Sequence, residues 1–424
     1  MHKHLYRTVE SLLERIDHSA GDEKMLLEIL HLLVESPEAS SFGIDSGRLY
    51  REEKKLYRLI ESIGELGPAI AGKTVSKSYQ VVKDIERRRL WVVSPETPGW
   101  DPEVEAQFST LDSAAILIGR DPSYILSLGI KHHGSEEDLR VLLETIRAAV
   151  GMKLREQILA SQMRQARVIQ QSLLPSPLPA LEGFDIAAVS HPAEEVGGDV
   201  YDVQHVEDGV IGLMVADASG HGLPAALQAR DVVIGMRMGQ ANGEKITATV
   251  SRLNRVINNS GLASRFISLF YGEIEQSGNL VYVNGGHCLP LLLTPDNEVF
   301  ELKSSGPVLG PLPEAVYRRG YVTVKPGEVL VIYTDGVTER HHPDSHEHEA
   351  KVKEFGLEGL VATTLKYMDR PAAEIAEKIV AAVRKYGGGL PFDDDVSLLV
   401  LKRLTAENYP PVEELTPLAV EVRR

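Results

Sequence analysis

Cysteine is almost missing: the 424 residues contain one, Cys288. A single thiol cannot build a disulfide framework within the chain, so a reducing compartment, the cytoplasm, is the expected setting. Basic charge is also scarce, with 45 Lys and Arg against 61 Asp and Glu and a formal net charge of −16. Phosphate contacts need a basic face, which argues against a nucleic-acid partner. An acidic balance fits solubility, or a site that collects cations, equally well. No stretch approaches the ~20 uncharged apolar residues of a membrane span. The start, "MHKHLYRTVESLLERIDHS", carries charge throughout and lacks the apolar centre of a signal peptide. There is no internal repeat. What remains is an acidic chain with ordinary shares of hydrophobic (43%) and charged (25%) residues, long enough for two or three domains.

The pattern divides the chain into a helical lead-in (1–22), a mixed α/β region (23–150), a connecting helix (151–175), a longer α/β region (176–404) and a proline- and glutamate-rich tail (405–424). In the first α/β region "EKMLLEILHLLVES" has helical periodicity, while "SAAILIGR" and "SYILSLGI" are short apolar runs bounded by turn residues, as strands are. From Ser135 to Leu174 there is no proline, and Leu159, Met163, Ala166, Ile169 and Leu173 step by four, three, three and four. That is close to the 3.5 period of a coiled-coil seam and predicts a homodimer through this helix. "PSPLPALEG" ends it, because proline cannot continue a helix. Beyond it, "DIAAVS", "GVIGLMVAD", "FISLFYGEI", "NLVYVNGG", "EVLVIYTD" and "DVSLLVLK" read as strands. "PAALQARDVVIGMRMGQ", "ITATVSRLNRVINNS" and "PAAEIAEKIVAAVRKYG" read as amphipathic helices.

Two motifs are set aside. "GPAIAGKT" (Gly67–Thr74) satisfies the G-x-x-x-x-G-K-T phosphate-loop pattern. Such a loop needs a strand before it and a helix after it, whereas "EKKLYRLIESIGEL" before it reads as helix and "VSKSYQVVKDI" after it as extended chain. "GGDVY" is similar to the GGDEF cyclase signature but lacks its Glu-Phe.

Four acidic motifs lie in the longer α/β region: "EEVGGDVYD" with Asp199 and Asp202, "VADASG" with Asp217, "VIYTDGVTE" with Asp335, and "FDDDVSLL" with Asp393, Asp394 and Asp395. Three share one design, an apolar strand with an aspartate at its end or just before its start. Within a strand a carboxylate would be desolvated at high cost; at the end it can project into a shared cleft. Any one Asp-Gly pair could be only a turn. Four in one region point instead to aspartates gathered around a cation, and hard divalent ions prefer carboxylate and water oxygens. Two such ions about 4 Å apart are a recurring device for phosphate-ester hydrolysis.

In this order "GGDVYD", "VADASGHGLPAAL", "VNGGH", "YTDGVTE" and "DDVSLLVL" resemble the bacterial PP2C-type serine/threonine phosphatases of the SpoIIE and RsbU group. The resemblance covers about Gln165–Leu404, with "QQSLLPSPLP" as its lead-in. It implies an α/β/β/α PP2C-like sandwich and two Mn2+ or Mg2+ ions held by the catalytic aspartates Asp199, Asp217, Asp335 and Asp394. Asp217 would bridge the ions and the Ala218 carbonyl would contribute. Water activated at the metals would attack phosphoserine or phosphothreonine, with no phosphoenzyme, and the substrate would be a phosphorylated regulatory protein of the anti-sigma-factor antagonist type. The chain departs from the pattern in having "NGGH" for the usual "NAGH", Cys288 where a polar residue is common, and one extra aspartate, so that the last ligand could be Asp393 or Asp395. His221 lies four residues after Asp217, not two as in the eukaryotic "DGHGG" motif, and a histidine in a helix-entry loop is more often structural.

"AIAGKTVSKSYQVVKDIE" followed by "SAAILIG" and "SYILSLGI" is similar to GAF sensor domains, over about Glu23–Val150. The expected architecture is a multidomain α/β chain: a GAF-like α/β sensor with a possible small-molecule ligand, a long helical linker, and the phosphatase. The histidine-rich run "RHHPDSHEHEAK" (Arg340–Lys351) reads as a solvated loop before it reads as a metal site or pH-sensitive flap. Two rivals remain: a non-catalytic scaffold that binds a phosphoprotein, and a phosphohydrolase acting on a small molecule.

Overall fold

A computed structural model describes residues 22–35, 43–64, 67–109, 111–119, 122–131, 136–260, 266–344 and 353–405. Most of the lead-in 1–22, all but the first residue of the tail 405–424, and His346 and His348 of the histidine run lie outside the described residues. The chain separates into two compact units, Met1–Gln162 and Met163–Arg424.

The first unit is built on a six-stranded antiparallel sheet. Its elements are helix α1 (Asp22–Glu35), strands β1 (Ile44–Glu53), β2 (Leu56–Ile63) and β3 (Thr74–Ser76), helix α2 (Gln80–Arg88), strand β4 (Leu90–Val93), the short helix α3 (Pro102–Glu105), strands β5 (Asp112–Gly119) and β6 (Ser123–Ile130), and the start of helix α4 (Glu136–Gln171). The strand order is β3-β2-β1-β6-β5-β4. β6 is central and buried along its whole length, which explains its unbroken apolar run. On one sheet face Leu126 and Leu128 meet Leu26 and Leu30 of α1 and Leu143 and Ile146 of α4. On the other, Ala115 and Ile125 meet Val82 and Ile85 of α2.

Here two expectations are corrected. "EKKLYRLIESIGEL" contains strand β2, not a helix, because alternate residues Tyr57 and Leu59 are buried and the segment pairs with β1. Pairing overrides the helix propensity of its Glu, Lys and Leu. "VSKSYQVVKDI" holds β3 and then α2, whose Val81, Val82 and Ile85 form a buried helical stripe. The phosphate-loop reading still fails, on other grounds. Gly67–Ile70 is a 3-10 turn, and the amides of Ala71, Gly72 and Lys73 donate to the carbonyls of Pro68, Leu59 and Ile70. Lys73 Nζ donates to the Gln107 carbonyl at 3.1 Å, and the following helix begins only at Gln80.

The second unit has four layers. After α4 come β7 (Phe184–His191), β8 (Asp199–Glu207), β9 (Val210–Ala218), α5 (Gly222–Ala241), α6 (Ile246–Asn259), β10 (Ile267–Glu275), β11 (Asn279–Gly285), β12 (Leu291–Leu293), β13 (Val299–Glu301), β14 (Gly320–Thr323), β15 (Val329–Tyr333), the single turn α7 (Asp335–Thr338), α8 (Gly356–Lys366), α9 (Ala372–Tyr386) and β16 (Val396–Arg403). Two antiparallel five-stranded sheets form, ordered β14-β11-β10-β9-β8 and β13-β12-β15-β16-β7. Their inner faces pack Val215 and Phe270 against Ile332 and Leu399. The outer face of the first sheet (Met214, Ala216) is covered by Val232 and Val233 of α5 and Val250 and Leu253 of α6. That of the second (Val331, Leu398) is covered by Ile375 and Ile379 of α9 and Leu360 of α8. This is the expected α/β/β/α sandwich.

Candidate metal centre

Strand alternation places one side chain in two on the face between the sheets. On β8 and β9 that inner row runs Val203, Tyr201, Asp199 and Leu213, Val215, Asp217, so apolar rows end in carboxylates at the same rim. Asp199 and Asp217 are direct cross-strand partners, and Ser268 of β10 pairs with Asp217 on its other side. The opposite sheet ends likewise, with Thr334 after β15 and Asp395 before β16. Thr334 Oγ1 donates to Asp199 Oδ2 at 2.6 Å, so the polar rims of the two sheets meet.

Asp335 follows Thr334 as the first residue of α7, and Asp394 precedes Asp395. The electrostatics tie all four predicted aspartates together. Burial raises Asp199 well above the ordinary carboxyl range, and the charges of Asp217 and Asp395 add to it. Asp217 is pushed up to about 7 by burial and by the charges of Asp335, Asp394 and Asp395. Asp335 is raised by burial and by Asp394 and Glu339. None of the four forms an ion pair with Arg, Lys or His among the described residues, unlike Asp202 and Asp393.

The three adjacent aspartates divide their work. Asp393 is exposed and pairs with Arg340 Nη1 at 3.0 Å. Asp395 is buried and consumed by backbone: Oδ1 accepts the Ala193 amide at 2.8 Å, and Oδ2 accepts Gly198 at 2.6 Å and Asp199 at 3.3 Å. Asp394 spends one oxygen on the Asp395 amide (2.8 Å) and is otherwise exposed beside the cluster. The glycine pair before Asp199 is explained by the same packing. A side chain on Gly197 would collide with the Asp395 carboxylate, and one on Gly198 with the Ala218 carbonyl oxygen. Gly336 lies as closely against the Asp395 backbone.

Neighbouring groups hold this rim in shape. Gln170, in the last turn of α4, brackets the Gly197 peptide, donating to its carbonyl at 2.7 Å and accepting its amide at 3.2 Å. His287 of "NGGH" contacts Ser268 Oγ through Nδ1 at 2.7 Å and is fully buried, which lowers it to about 4 and keeps it neutral. Asn284 accepts the His287 amide at 2.8 Å. Burial, with the nearby acids, pushes the Cys288 thiol up to about 12, so it is no nucleophile. His221 is exposed at the entry of α5 and pairs with Glu194 at 2.8 Å. Asp202 points to the outer face, where Arg237 of α5 grips it with two hydrogen bonds. Sequence reasoning missed Thr334 and Gln170 as site residues, and it named Asp395 only as an alternative last ligand. The signals were faint: a threonine before the aspartate in "YTDG", and the first glutamine of the "QQSLLPSPLP" lead-in.

An all-oxygen set of carboxylates without ionic partners, with the buried Ala218 carbonyl packed against Gly198 beside them, fits a hard divalent cation. Among the described residues no three His, Cys, Asp or Glu side chains stand close enough together to enclose an ion as they are. Like charges spread apart, and a divalent ion would draw them inward.

Residues 207–404 match the family profile "Stage II sporulation protein E (SpoIIE)", a span that contains Asp217, Asp335 and Asp394 but begins after Asp199. Over 287 residues the chain is 29% identical to Protein IcfG of Synechocystis, covering 61% of this chain and 44% of that one. It is 28% identical over 250 residues to phosphoserine phosphatase RsbU of Bacillus subtilis, covering 58% and 72%. In fold it is similar to the SiaA-PP2C domain of Pseudomonas aeruginosa, with a TM-score of 0.50, 22% identity, and coverage of 58% of this chain and 98% of that one. Among the described residues no helix is long and apolar enough to cross a membrane. The second unit of this chain carries a PP2C-type phosphatase domain of the SpoIIE family.

Proposed function

We propose that the chain is a metal-dependent protein phosphatase that removes phosphate from serine or threonine of a regulatory protein, under control of its first unit. The reading rests on one observation above the others: Asp199 and Asp217, paired across β8 and β9, share a charge field with Asp335 and Asp394, and among the described residues none has a cationic side chain to neutralise it. Asp199, Asp217, Asp335 and Asp394, with the Ala218 carbonyl, are the proposed ligands of two Mn2+ or Mg2+ ions, Asp217 bridging them. Bound there, such ions would supply charge stabilisation at the phosphoryl oxygens and a nucleophile from water at neutral pH. The protein's part is positioning. Thr334 orients Asp199, Asp395 pins the Gly198 and Asp199 amides, and Arg340 braces the approach to Asp393 through the carbonyls of Pro391 (2.7 Å) and Leu390 (2.9 Å).

The test is Mn2+-dependent phosphate release from a phosphoserine peptide and from an aryl phosphate. Release from the peptide is expected, falling at least about a hundredfold in Asp335→Asn. Activity that survives the substitution would remove the ligand assignment. Metal binding without turnover would favour a phosphoprotein-binding scaffold, and turnover of the aryl phosphate alone a small-molecule phosphohydrolase. RsbU is named a phosphoserine phosphatase, and the partner proposed for this chain is correspondingly a phosphorylated anti-sigma-factor antagonist, met in the cytoplasm.

For the remainder of the chain we propose a GAF-like sensor over 23–150, a signalling helix over 151–175 and the phosphatase over 176–404. The sensor reading is supported by the antiparallel sheet with α1 and α4 on one face and α2 on the other. Dimerisation through α4 is supported by its apolar seam, in which Leu159 is 57% and Ile169 59% exposed within the single chain. Light scattering should report a dimer that Leu159→Glu with Ile169→Glu converts to monomer. A monomeric natural chain at high concentration would remove the proposal.

A further inference from the structure

Under α2, on the sheet face that carries Ala115 and Ile125, the first unit has a half-open pocket with about 60 Å³ of space in it. Its walls are mostly aliphatic, with Val82, Ile85, Phe108 and Ile125 among them. Arg48 of β1 also lines it and is only 3% exposed. A guanidinium is always charged, and charges this deeply buried are ordinarily paired. Among the described residues Arg48 hydrogen-bonds only to neutral groups. Nη1 donates to the Phe108 carbonyl at 2.7 Å, Nη2 to Ser113 Oγ at 2.8 Å and Ser127 Oγ at 3.4 Å, and Nε has no partner. Glu105, the acid on the pocket wall, feels the Arg48 charge but makes no ion pair with it; it accepts from Tyr79 Oη at 2.8 Å, and burial raises it. Tyr50, the remaining titratable group there, is pushed up to about 12 by burial and stays neutral.

We propose that this pocket binds a small carboxylate whose charged end pairs with Arg48 and whose short carbon chain lies against the aliphatic wall. The guanidinium fork suits a planar carboxylate. A water site needs on the order of 10–15 Å³ of such space, so the pocket has room for roughly four to six non-hydrogen atoms, the size of propionate, pyruvate or alanine. Inorganic phosphate has the right size, but the polar lining groups (Arg48, Tyr50, Tyr79, Ser113 and Ser127) are outnumbered by aliphatic side chains, which suit a carbon chain better than four oxygens. The proposal is independent of the phosphatase reading, because it is tested by binding and not by turnover.

Acetate, propionate, pyruvate, alanine and phosphate would each be titrated into the full chain at constant ionic strength, followed by calorimetry and by thermal unfolding. At least one carboxylate should bind with a Kd of about 1 mM or tighter. Arg48→Gln should weaken it at least tenfold, by roughly the strength of a charge-assisted hydrogen bond, and Arg48→Lys should weaken it less. If alanine is the tightest, Glu105→Gln should weaken alanine and leave propionate unchanged, which identifies an amino acid. The proposal is overturned by no carboxylate binding to the natural chain, by equal binding to Arg48→Gln, or by phosphate binding more tightly than every carboxylate. The natural chain alone decides the first and last of these, even where Arg48→Gln fails to fold.

Discussion

Asp217→Asn is expected to lower Mn2+-dependent phosphate release by about a thousandfold or more, the largest loss of any single substitution at the rim. Metal-borne charge stabilisation contributes several kcal/mol to such reactions, and each ~1.4 kcal/mol is tenfold in rate. Asp217 is the aspartate on which the charges of three others converge, which is why its loss is expected to weigh most if it is the shared ligand proposed above. The same substitution should act in the opposite direction on the stability of protein kept in chelator. Burial and neighbouring charge raise Asp217 from 3.8 to about 7, so the folded chain holds this proton more tightly than the unfolded one. Its stabilising contribution is present below about pH 4 and is lost as pH rises to about 7. The asparagine never ionises and keeps what the aspartate gives up, on the order of a few kcal/mol at most. In thermal unfolding at neutral pH with chelator, Asp217→Asn should melt above the natural chain, the gap closing as pH falls toward 4. A gap that is absent at pH 7, or constant across the window, would show that the carboxylates do not repel one another as described.

The second large effect is structural and sits on the outer face of the neighbouring strand, β8. Arg237 should matter more than the acid it binds. Asp202 is 5% exposed, while Arg237 is 35% exposed. Removing the arginine leaves a buried carboxylate with no cation and only the Gln204 Nε2 hydrogen bond at 2.9 Å, whereas removing the aspartate leaves a guanidinium that can turn toward water. Arg237 also donates to the Leu173 carbonyl at 2.8 Å, beyond the end of α4. Arg237→Ala is therefore expected to cost about 3 kcal/mol or more, and Asp202→Ala about 1 kcal/mol. Denaturant midpoints of metal-loaded protein measure both. Equal costs would mean that the buried carboxylate finds another partner, and the asymmetry would then be wrong.

Six of the ten strands of the sandwich (β7, β9, β10, β11, β15 and β16) could be read as apolar runs, with Asp217 and Asp335 at the ends of two of them, whereas β8 with its Asp199 and the short β12, β13 and β14 could not. β2 could not: "KKLYRLIESI" has the composition of a helix, and only its pairing with β1 makes it a strand. α2 was hidden for the converse reason, since the β-branched Val81 and Val82 look extended until their burial with Ile85 is seen. At the site, the acidic motifs and the family resemblance together proposed the four aspartates, but three identical neighbours could not be told apart. What separates Asp393, Asp394 and Asp395 is the partner each one meets, Arg340 for the first and the Ala193, Gly198 and Asp199 amides for the last. Such partners lie up to about two hundred residues away in sequence. Thr334 was missed for the same reason, as its role depends on Asp199 in the opposite sheet.

Gln170 changes where the catalytic fragment begins. Prolines from Pro175 onward suggest a natural place to cut, and the family match itself starts only at residue 207. Yet the two hydrogen bonds that hold the Gly197 peptide come from upstream of both points. A fragment trimmed at the prolines keeps every proposed ligand and loses the clasp on the loop that presents Asp199. The smallest autonomous enzyme thus includes the last turn of a helix that, judged by its composition, belongs to the connector.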